Sequence, residues 1–152
     1  MFQLHFELND QALSALKLGP FSYPAFSGLA PHVNKRHAGC LANAGPVPPG
    51  LYYILDRESG GLLGPLRDRI SNRSEWFALY AVDQKIDDYT YCNEVERGNF
   101  RLHPKGPSGI SKGCIVLEKQ VDFFRLRACL ESASPTAIPG SKLKAYGKLW
   151  VR

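Results

Sequence analysis

A chain of 152 residues has the length of one domain, and its 44% hydrophobic and 22% charged residues are typical of a folded globular protein. Its seventeen aromatic residues (8 Phe, 2 Trp, 7 Tyr) exclude a disordered chain. No uncharged apolar run approaches the roughly 18–20 residues of a membrane span. The net charge of +5 comes without any block of five or six basic residues, which disfavours a nucleic-acid partner and suits a substrate that carries carboxylates.

The N-terminal segment predicts a hairpin rather than a secretory signal. The first ten residues lack a basic leader followed by a long apolar stretch, and Glu7 and Asp10 interrupt them. We therefore expect synthesis in the cytoplasm without a signal peptide. Residues 2–8 and 12–18 flank an Asn-Asp turn signal and predict two antiparallel strands. The expected organisation is a single domain over 1–152, with a hairpin at 1–20 packed on it.

The centre of the chain predicts short strands. Residues 21–50 contain five prolines, which predicts a segment that is largely loop. Further strands are predicted where apolar residues run together or alternate with polar ones, at 51–55 (ended by Asp56 and Gly60-Gly61), 76–82, 99–103 and 113–117. Four aromatic residues in these strands are expected to be core residues more often than the lining of a groove: Tyr52, Tyr53, Trp76 and Tyr80.

One helix and one more strand complete the prediction. Residues 119–131 predict an amphipathic helix, with Val121, Phe124 and Ala128 on one apolar face, Phe123, Leu126 and Leu130 beside it, and charged residues elsewhere. Residues 141–151 alternate between apolar and mostly basic residues, which is typical of a half-buried strand. The sequence therefore predicts a mainly β domain with one amphipathic helix.

The four cysteines show no metal-binding spacing. Cys40, Cys92, Cys114 and Cys129 form no CxxC pair and no zinc-type pattern with histidine, so we predict no metal and no cofactor. The simplest expectation is four reduced thiols. In an oxidising compartment two of Cys40, Cys92 and Cys129 are expected to pair, and the sequence does not determine which two.

Cys114 differs from the other cysteines because its surroundings are basic. The window 97–117 contains Arg97, Arg101, Lys105 and Lys112 and no acidic residue. A positive field favours the thiolate, which is the nucleophilic form of cysteine. The composition of this window therefore predicts a reactive thiol.

A histidine precedes this cysteine at a spacing that suits a catalytic pair. His103 ends a predicted strand, and the connection from it to Cys114 contains two prolines and two glycines before Gly113. Such a connection lets the chain turn back and bring imidazole and thiol together. Gly113 permits close approach of the backbone, so that amide N–H groups near Cys114 face a developing oxyanion.

These residues resemble a known family. Ser111-Lys112-Gly113-Cys114-Ile115, with the strand-end His103 upstream, is similar to the Ser-x-Gly-Cys signature of L,D-transpeptidases. Together with residues 45–61 and 76–80, the window 97–117 resembles the L,D-transpeptidase effectors of bacterial type VI secretion systems. The resemblance extends over about residues 23–151.

The resemblance implies a fold, an activity and a set of site residues. The fold is an L,D-transpeptidase-like catalytic β-sandwich or barrel, and the substrate is the peptidoglycan stem peptide in the periplasm of a target bacterium. Cys114 is the implied nucleophile and His103 its general base, oriented by the backbone carbonyl of Pro104. Gly113 and Cys114 contribute oxyanion amides, and Ser111 shapes the loop. A cognate immunity protein and the secretion apparatus are the implied protein partners.

Two positions depart from the family pattern. Many cell-wall L,D-transpeptidases carry arginine two residues after the cysteine, where this chain has Val116, and glycine after the histidine, where it has Pro104. We predict that Arg101, on the same strand face as His103, supplies the missing charge. Lys112 is the second predicted substrate-binding residue.

Two other functions are compatible with the same residues. A papain-like cell-wall amidase or endopeptidase also uses cysteine and histidine, although in that class the cysteine precedes the histidine and begins a helix. A wall-binding module with an inert Cys114 is the non-enzymatic alternative.

Overall fold

Eight short strands close into a barrel in the computed structural model, which describes residues 1–57 and 73–152. The predicted strand stop at Gly60-Gly61 and the end of the 45–61 resemblance lie outside the described residues. Two short 3₁₀ turns are present at Arg36–Ala38 and Arg73–Glu75. The remaining elements are β1 (Phe2–Phe6), β2 (Ser14–Leu18), β3 (Phe21–Ser27), β4 (Gly50–Asp56), β5 (Phe77–Ala81), β6 (Tyr89–Cys92), β7 (Val95–Gly98), β8 (Arg101–Pro104), β9 (Ile115–Leu117), α1 (Gln120–Glu131), β10 (Thr136–Ala137), β11 (Lys144–Ala145) and β12 (Gly147–Val151).

The barrel order is β1-β12-β4-β5-β8-β9-β3-β2, which closes the sheet on itself. Both strands of the N-terminal hairpin are therefore part of the barrel wall instead of an addition packed on it. Two of the barrel's pairings are parallel, β1 with β12 and β8 with β9. The mainly β prediction is confirmed.

Alternation along the strands builds the core. Inward residues are fully or almost fully buried, as Leu4 and Phe6 on β1 and Ile115 and Leu117 on β9 show. A period of two sends neighbouring side chains to opposite faces, so one face of each strand fills the barrel. α1 packs against β8 and β9 and adds its apolar residues to the same core.

The predicted helix is present, but of its two predicted apolar stripes only the second is buried. Val121 is 53% and Phe124 46% exposed, and Ala128 is exposed as well. Phe123, Leu126 and Leu130, a different stripe at helical spacing, are completely buried. Apolar residues occur on several sides of this helix, so their period alone does not select the face that meets the barrel.

Two further predictions needed correction along the strands. β3 was not expected, because the prolines of 21–50 indicated loop; Pro24 nevertheless lies within it, between β2 and β9. The predicted strand at 141–151 is divided at Tyr146 into β11, which pairs with β10, and β12, which enters the barrel. Among the described residues, no helix combines the length and apolarity needed to cross a membrane.

A disulfide joins Cys40 to Cys92, which corrects the expectation of four reduced thiols. It ties the segment after the first 3₁₀ turn to the β6–β7 hairpin, and it spans 52 positions of sequence. Cys114 and Cys129 are free.

Removing this disulfide is expected to destabilise the fold. The Cys40→Ser/Cys92→Ser double variant should lose roughly 2–4 kcal/mol of unfolding free energy, because a long closed loop restricts the unfolded chain. Urea unfolding without reductant measures the loss. Wild-type protein unfolded with reductant should match the variant, and equal midpoints for the variant and the oxidised wild type would contradict the prediction.

Candidate active site

His103 lies on β8, and Cys114 directly precedes β9, the parallel neighbour of β8. In the observed register Leu102 lies opposite Ile115 and His103 opposite Val116. Continuing this register by one residue puts Cys114 level with Arg101 and on the same side of the sheet as His103, roughly 8 Å from it at Cα for standard strand geometry. A diagonal pair lies within reach of a ring side chain. The connection between β8 and β9 returns the chain to the end of the sheet where β8 began, so that β9 runs in the same direction as β8.

The ring of His103 is held on two sides. Its Nδ1–H donates to the backbone oxygen of Pro104 at 2.8 Å. A carbonyl oxygen only accepts, so the neutral ring keeps the lone pair on Nε2 for a proton from another group. The Trp76 ring stacks on the imidazole, with centroids 4.1 Å apart and 15° between the planes. His103 is thus fixed in one tautomer and one orientation, with Nε2 left as the acceptor nitrogen.

Burial sets the charge state of this histidine. The His103 side chain is buried, and loss of solvation lowers its pKa; the hydrogen bond to Pro104 raises the pKa, and the charge of Arg73 lowers it further. The imidazole is therefore neutral at physiological pH.

The sulfur of Cys114 rests on the backbone that begins β8. Its S–H donates to Asn99 O, with 3.8 Å between sulfur and oxygen. Burial raises the pKa of the thiol, whereas a hydrogen bond with the Arg101 backbone and the charge of Arg101 lower it. Burial is the largest of these effects, so the resting thiol is neutral although its side chain is only partly buried.

The predicted positive field is compensated at two of its four cations. Arg101 pairs with Asp88, and Lys105 lies 2.8 Å from Glu118. Both acidic partners lie outside the window 97–117, which is why its composition indicated an excess of charge. A neutral thiol and a neutral imidazole favour proton transfer during attack over a resting thiolate–imidazolium pair.

Ser111 shapes the loop before the cysteine. Its side chain is buried, its Oγ donates to Cys114 O at 2.7 Å, and it accepts from Gly28 N–H at 3.1 Å. Ser27, also buried, donates to Gly113 O at 3.4 Å and accepts from Val47 N–H at 2.8 Å. Two hydroxyl groups thus join the cysteine loop to the end of β3 and to the proline-rich segment.

Gly113 occupies a position with no room for a side chain. Its φ is +121°, and an added Cβ would lie 2.7 Å from the Arg97 guanidinium and 2.9 Å from the Phe100 ring. Arg97 is buried, donates to the backbone oxygens of Gly39, Gly45 and Pro46, and lies over the Phe100 ring. The close approach of the backbone predicted at Gly113 is present, because the Arg97 guanidinium and the Phe100 ring pack against this residue.

The two predicted substrate-binding cations have different environments. Arg101 donates from both Nη atoms to the Asp88 carboxylate, at 2.7 and 2.5 Å, and its side chain is 14% exposed. Lys112 is exposed on the cysteine loop. Val116 is 1% exposed, so a cation at that position would be buried.

A cleft of about 530 Å³ opens beside His103. Its lining includes Trp76, Lys105 and two exposed apolar side chains, Ile110 and Phe124. A larger depression of about 1020 Å³ lies against the N-terminal hairpin and contains none of the predicted site residues. The cleft at His103 has the size of a small-ligand or peptide-side-chain site.

Several residues of this site were not identified from the sequence. Trp76 was expected in the core; Tyr52, Tyr53 and Tyr80 are indeed buried, whereas Trp76 covers the histidine. Asp88 carried no local signal because its partner is 13 positions away. Ser27 lies 86 positions from its partner Gly113, so no local pattern indicates this contact.

The charge states of the pair predict a pH dependence. Cys114 should react with iodoacetamide only as pH rises above the ordinary thiol range, because burial raises its pKa. The acid limb of the pH–rate profile should lie below the ordinary histidine range, because a lowered imidazole pKa keeps the base form present at lower pH. Both are measured in a Cys129→Ala background. Fast alkylation already at acidic pH would instead indicate a thiolate–imidazolium pair.

Comparison with known proteins adds one match. The family model of the Tlde1 domain, a type VI secretion L,D-transpeptidase effector domain, matches residues 22–141. The match includes the histidine, the cysteine loop and every strand from β4 to β10. Neither the curated proteins nor the solved structures gave a match.

Proposed function

Because this chain belongs to the Tlde1 domain family, we propose that it is a peptidoglycan-modifying cysteine enzyme that cleaves the diaminopimelate–D-alanine bond of tetrapeptide stems. The observation that supports the proposal is the imidazole of His103, whose Nδ1–H is bound to Pro104 O on β8, the parallel neighbour of the strand that Cys114 directly precedes. This hydrogen bond leaves one lone pair, on Nε2, to accept the proton of the thiol.

In the first half-reaction, His103 Nε2 takes the proton of the Cys114 thiol as sulfur attacks the carbonyl carbon on the L-centre of diaminopimelate. The Gly113 and Cys114 N–H groups stabilise the resulting oxyanion. The C–N bond then breaks, and His103 returns the proton to the amine of the departing D-alanine. A thioester on Cys114 remains.

The second half-reaction releases the thioester. Water, deprotonated by His103, gives a tripeptide stem and restores the thiol, which is L,D-carboxypeptidase activity. A free D-amino acid gives an exchanged tetrapeptide in the same way. No added cofactor is required for either route.

The surroundings of the pair suit a stem peptide. The cleft, whose described lining contains His103 but not Cys114, offers Ile110 and Phe124 to the apolar parts of the stem and Lys105 to a charged part. Lys112 is the cation that we assign to a stem carboxylate, because it is exposed next to the cysteine loop. Both Nη atoms of Arg101 already donate to the Asp88 carboxylate. We therefore assign Arg101 to holding a positive charge near the Cys114 sulfur instead of to binding the substrate.

The family context supports the biological setting that we propose. The protein is delivered by the type VI apparatus to the periplasm of a target bacterium, where its substrate lies. A cognate immunity protein protects the producing cell. Removing or exchanging terminal D-alanine deprives the cross-linking reaction of tetrapeptide stems, which accounts for toxicity.

Mass spectrometry of tetrapeptide muropeptides tests the reaction. The purified protein in water enriched in heavy oxygen should remove one alanine and place one labelled oxygen in the tripeptide; adding a free D-amino acid should produce the exchanged tetrapeptide. Free stem peptides or cleaved cross-links would instead identify an amidase or endopeptidase. Unchanged muropeptides with the protein bound to sacculi would identify a wall-binding module.

A further inference from the structure

The Cys114 sulfur lies against a short backbone segment, residues 99–101, at the start of β8. Asn99 O accepts from the Cys114 S–H, and the Arg101 backbone also hydrogen-bonds the sulfur. Asn99 has a φ of +56°, a conformation that asparagine tolerates better than most residues. The position of this segment therefore decides where the sulfur lies.

Asp88 holds this segment at two points. Its carboxylate accepts from both Nη atoms of Arg101, at 2.7 and 2.5 Å. Its backbone oxygen accepts from Asn99 N–H at 3.0 Å. The paired side chains are 14% and 21% exposed, so solvent screens this two-pronged ion pair less than a surface pair.

Asp88 is itself fixed by its neighbours. It directly precedes β6, and Gly98 at the end of β7 packs against its carbonyl so closely that a Cβ would clash with the oxygen. Cys92, which ends β6, is tied to Cys40. The β6–β7 hairpin is therefore anchored where it presents Asp88 to β8.

We infer that Asp88 is a positioning residue for the nucleophile: its carboxylate fixes the Arg101 guanidinium and its carbonyl fixes Asn99, so that residues 99–101 hold the Cys114 sulfur in place. Asp88 acts through Arg101 and Asn99 and does not touch the substrate. The inference rests on the proposed function in taking Cys114 as the nucleophile.

A double-mutant cycle tests the carboxylate arm. Asp88→Ala is expected to lower kcat for D-alanine release roughly 10- to 100-fold, the range for a misplaced reacting group, with KM within about twofold because substrate contacts remain. Arg101→Met should have a similar effect. The double variant should be no slower than Arg101→Met alone, since Asp88 acts through that side chain. Asp87→Asn, which removes the neighbouring carboxylate from its exposed pair with Lys85, is the matched control and should resemble wild type.

The pH dependence of Cys114 alkylation separates positioning from a simple charge effect, and it needs no peptidoglycan. The charge of Asp88 raises the thiol pKa and that of Arg101 lowers it. If Asp88→Ala releases Arg101, the alkylation profile moves to higher pH. If Arg101 stays in place without Asp88, the profile moves to lower pH, and the inference is wrong.

Two other results would overturn the inference: a kcat for Asp88→Ala within about twofold of wild type, or a double variant whose loss equals the product of the two single losses. Circular dichroism verifies folding. Should Asp88→Ala not fold, Asp88→Asn keeps the size and one acceptor and should give a smaller loss in the same direction. Failure of the proposed reaction would appear separately, as absent D-alanine release by a wild-type protein whose alkylation profile still responds to Asp88.

Discussion

Replacing Cys114 with alanine is expected to lower the rate of D-alanine release from tetrapeptide stems by roughly 10⁴-fold or more, because no other atom of the site can form the thioester. The fold should be retained, since alanine is smaller than cysteine and the sulfur loses only two weak hydrogen bonds, one to Asn99 O at 3.8 Å and one with the Arg101 backbone. Released D-alanine and the muropeptide masses measure the effect.

The matched control for this substitution is Cys129→Ala. Cys129 is the second free cysteine and lies on α1, partly buried against the barrel core. Its removal should leave the turnover number unchanged. A Cys114→Ala protein that still trims tetrapeptides at the wild-type rate would refute the assignment of the nucleophile.

Replacing Gly113 with alanine is expected to damage both stability and catalysis. A φ of +121° is strained for alanine, and the new methyl group would meet Arg97 at 2.7 Å and Phe100 at 2.9 Å. We expect a loss of about 1–3 kcal/mol in unfolding free energy from the backbone strain. Displacing the cysteine loop should also lower kcat by roughly 100-fold. Urea unfolding and the D-alanine assay measure the two effects.

Gly106→Ala is the control, because Gly106 lies in the same connection between His103 and Cys114. An added Cβ there meets nothing within 4 Å, and its backbone is not in the left-handed region. This variant should match wild type in both assays. Equal behaviour of Gly113→Ala and Gly106→Ala would mean that the close approach at Gly113 is unimportant.

Local patterns predicted most of the strands. The hairpin that contains β1 and β2, and the strands β4, β5, β8 and β9, follow from alternation and short apolar runs, because side chains in a strand repeat every two residues. The Cys–His spacing and Gly113 were also visible in one short window. Membership of the Tlde1 family agrees with the resemblance in the same residues.

Charge and burial were predicted less well. The basic window indicated a thiolate, but Asp88 and Glu118 neutralise two of its cations, and burial raises the pKa of the thiol. Which apolar stripe of α1 is buried depends on the side of the helix that packs against β8 and β9. Trp76 became a support for His103 only because β5 pairs with β8.

The sequence by itself determined most of the barrel strands, the spacing between His103 and Cys114 and the need for glycine before the cysteine, because each depends on residues close together in the chain. Tertiary structure decided that Cys40 pairs with Cys92, that the thiol and imidazole rest neutral, and that Asp88 fixes the backbone segment 99–101 against which the Cys114 sulfur lies. The disulfide, the two charge states and the contacts of Asp88 depend on which distant residues meet and on how much solvent remains between them. Closure of the barrel determines both the contacts and the solvent exposure.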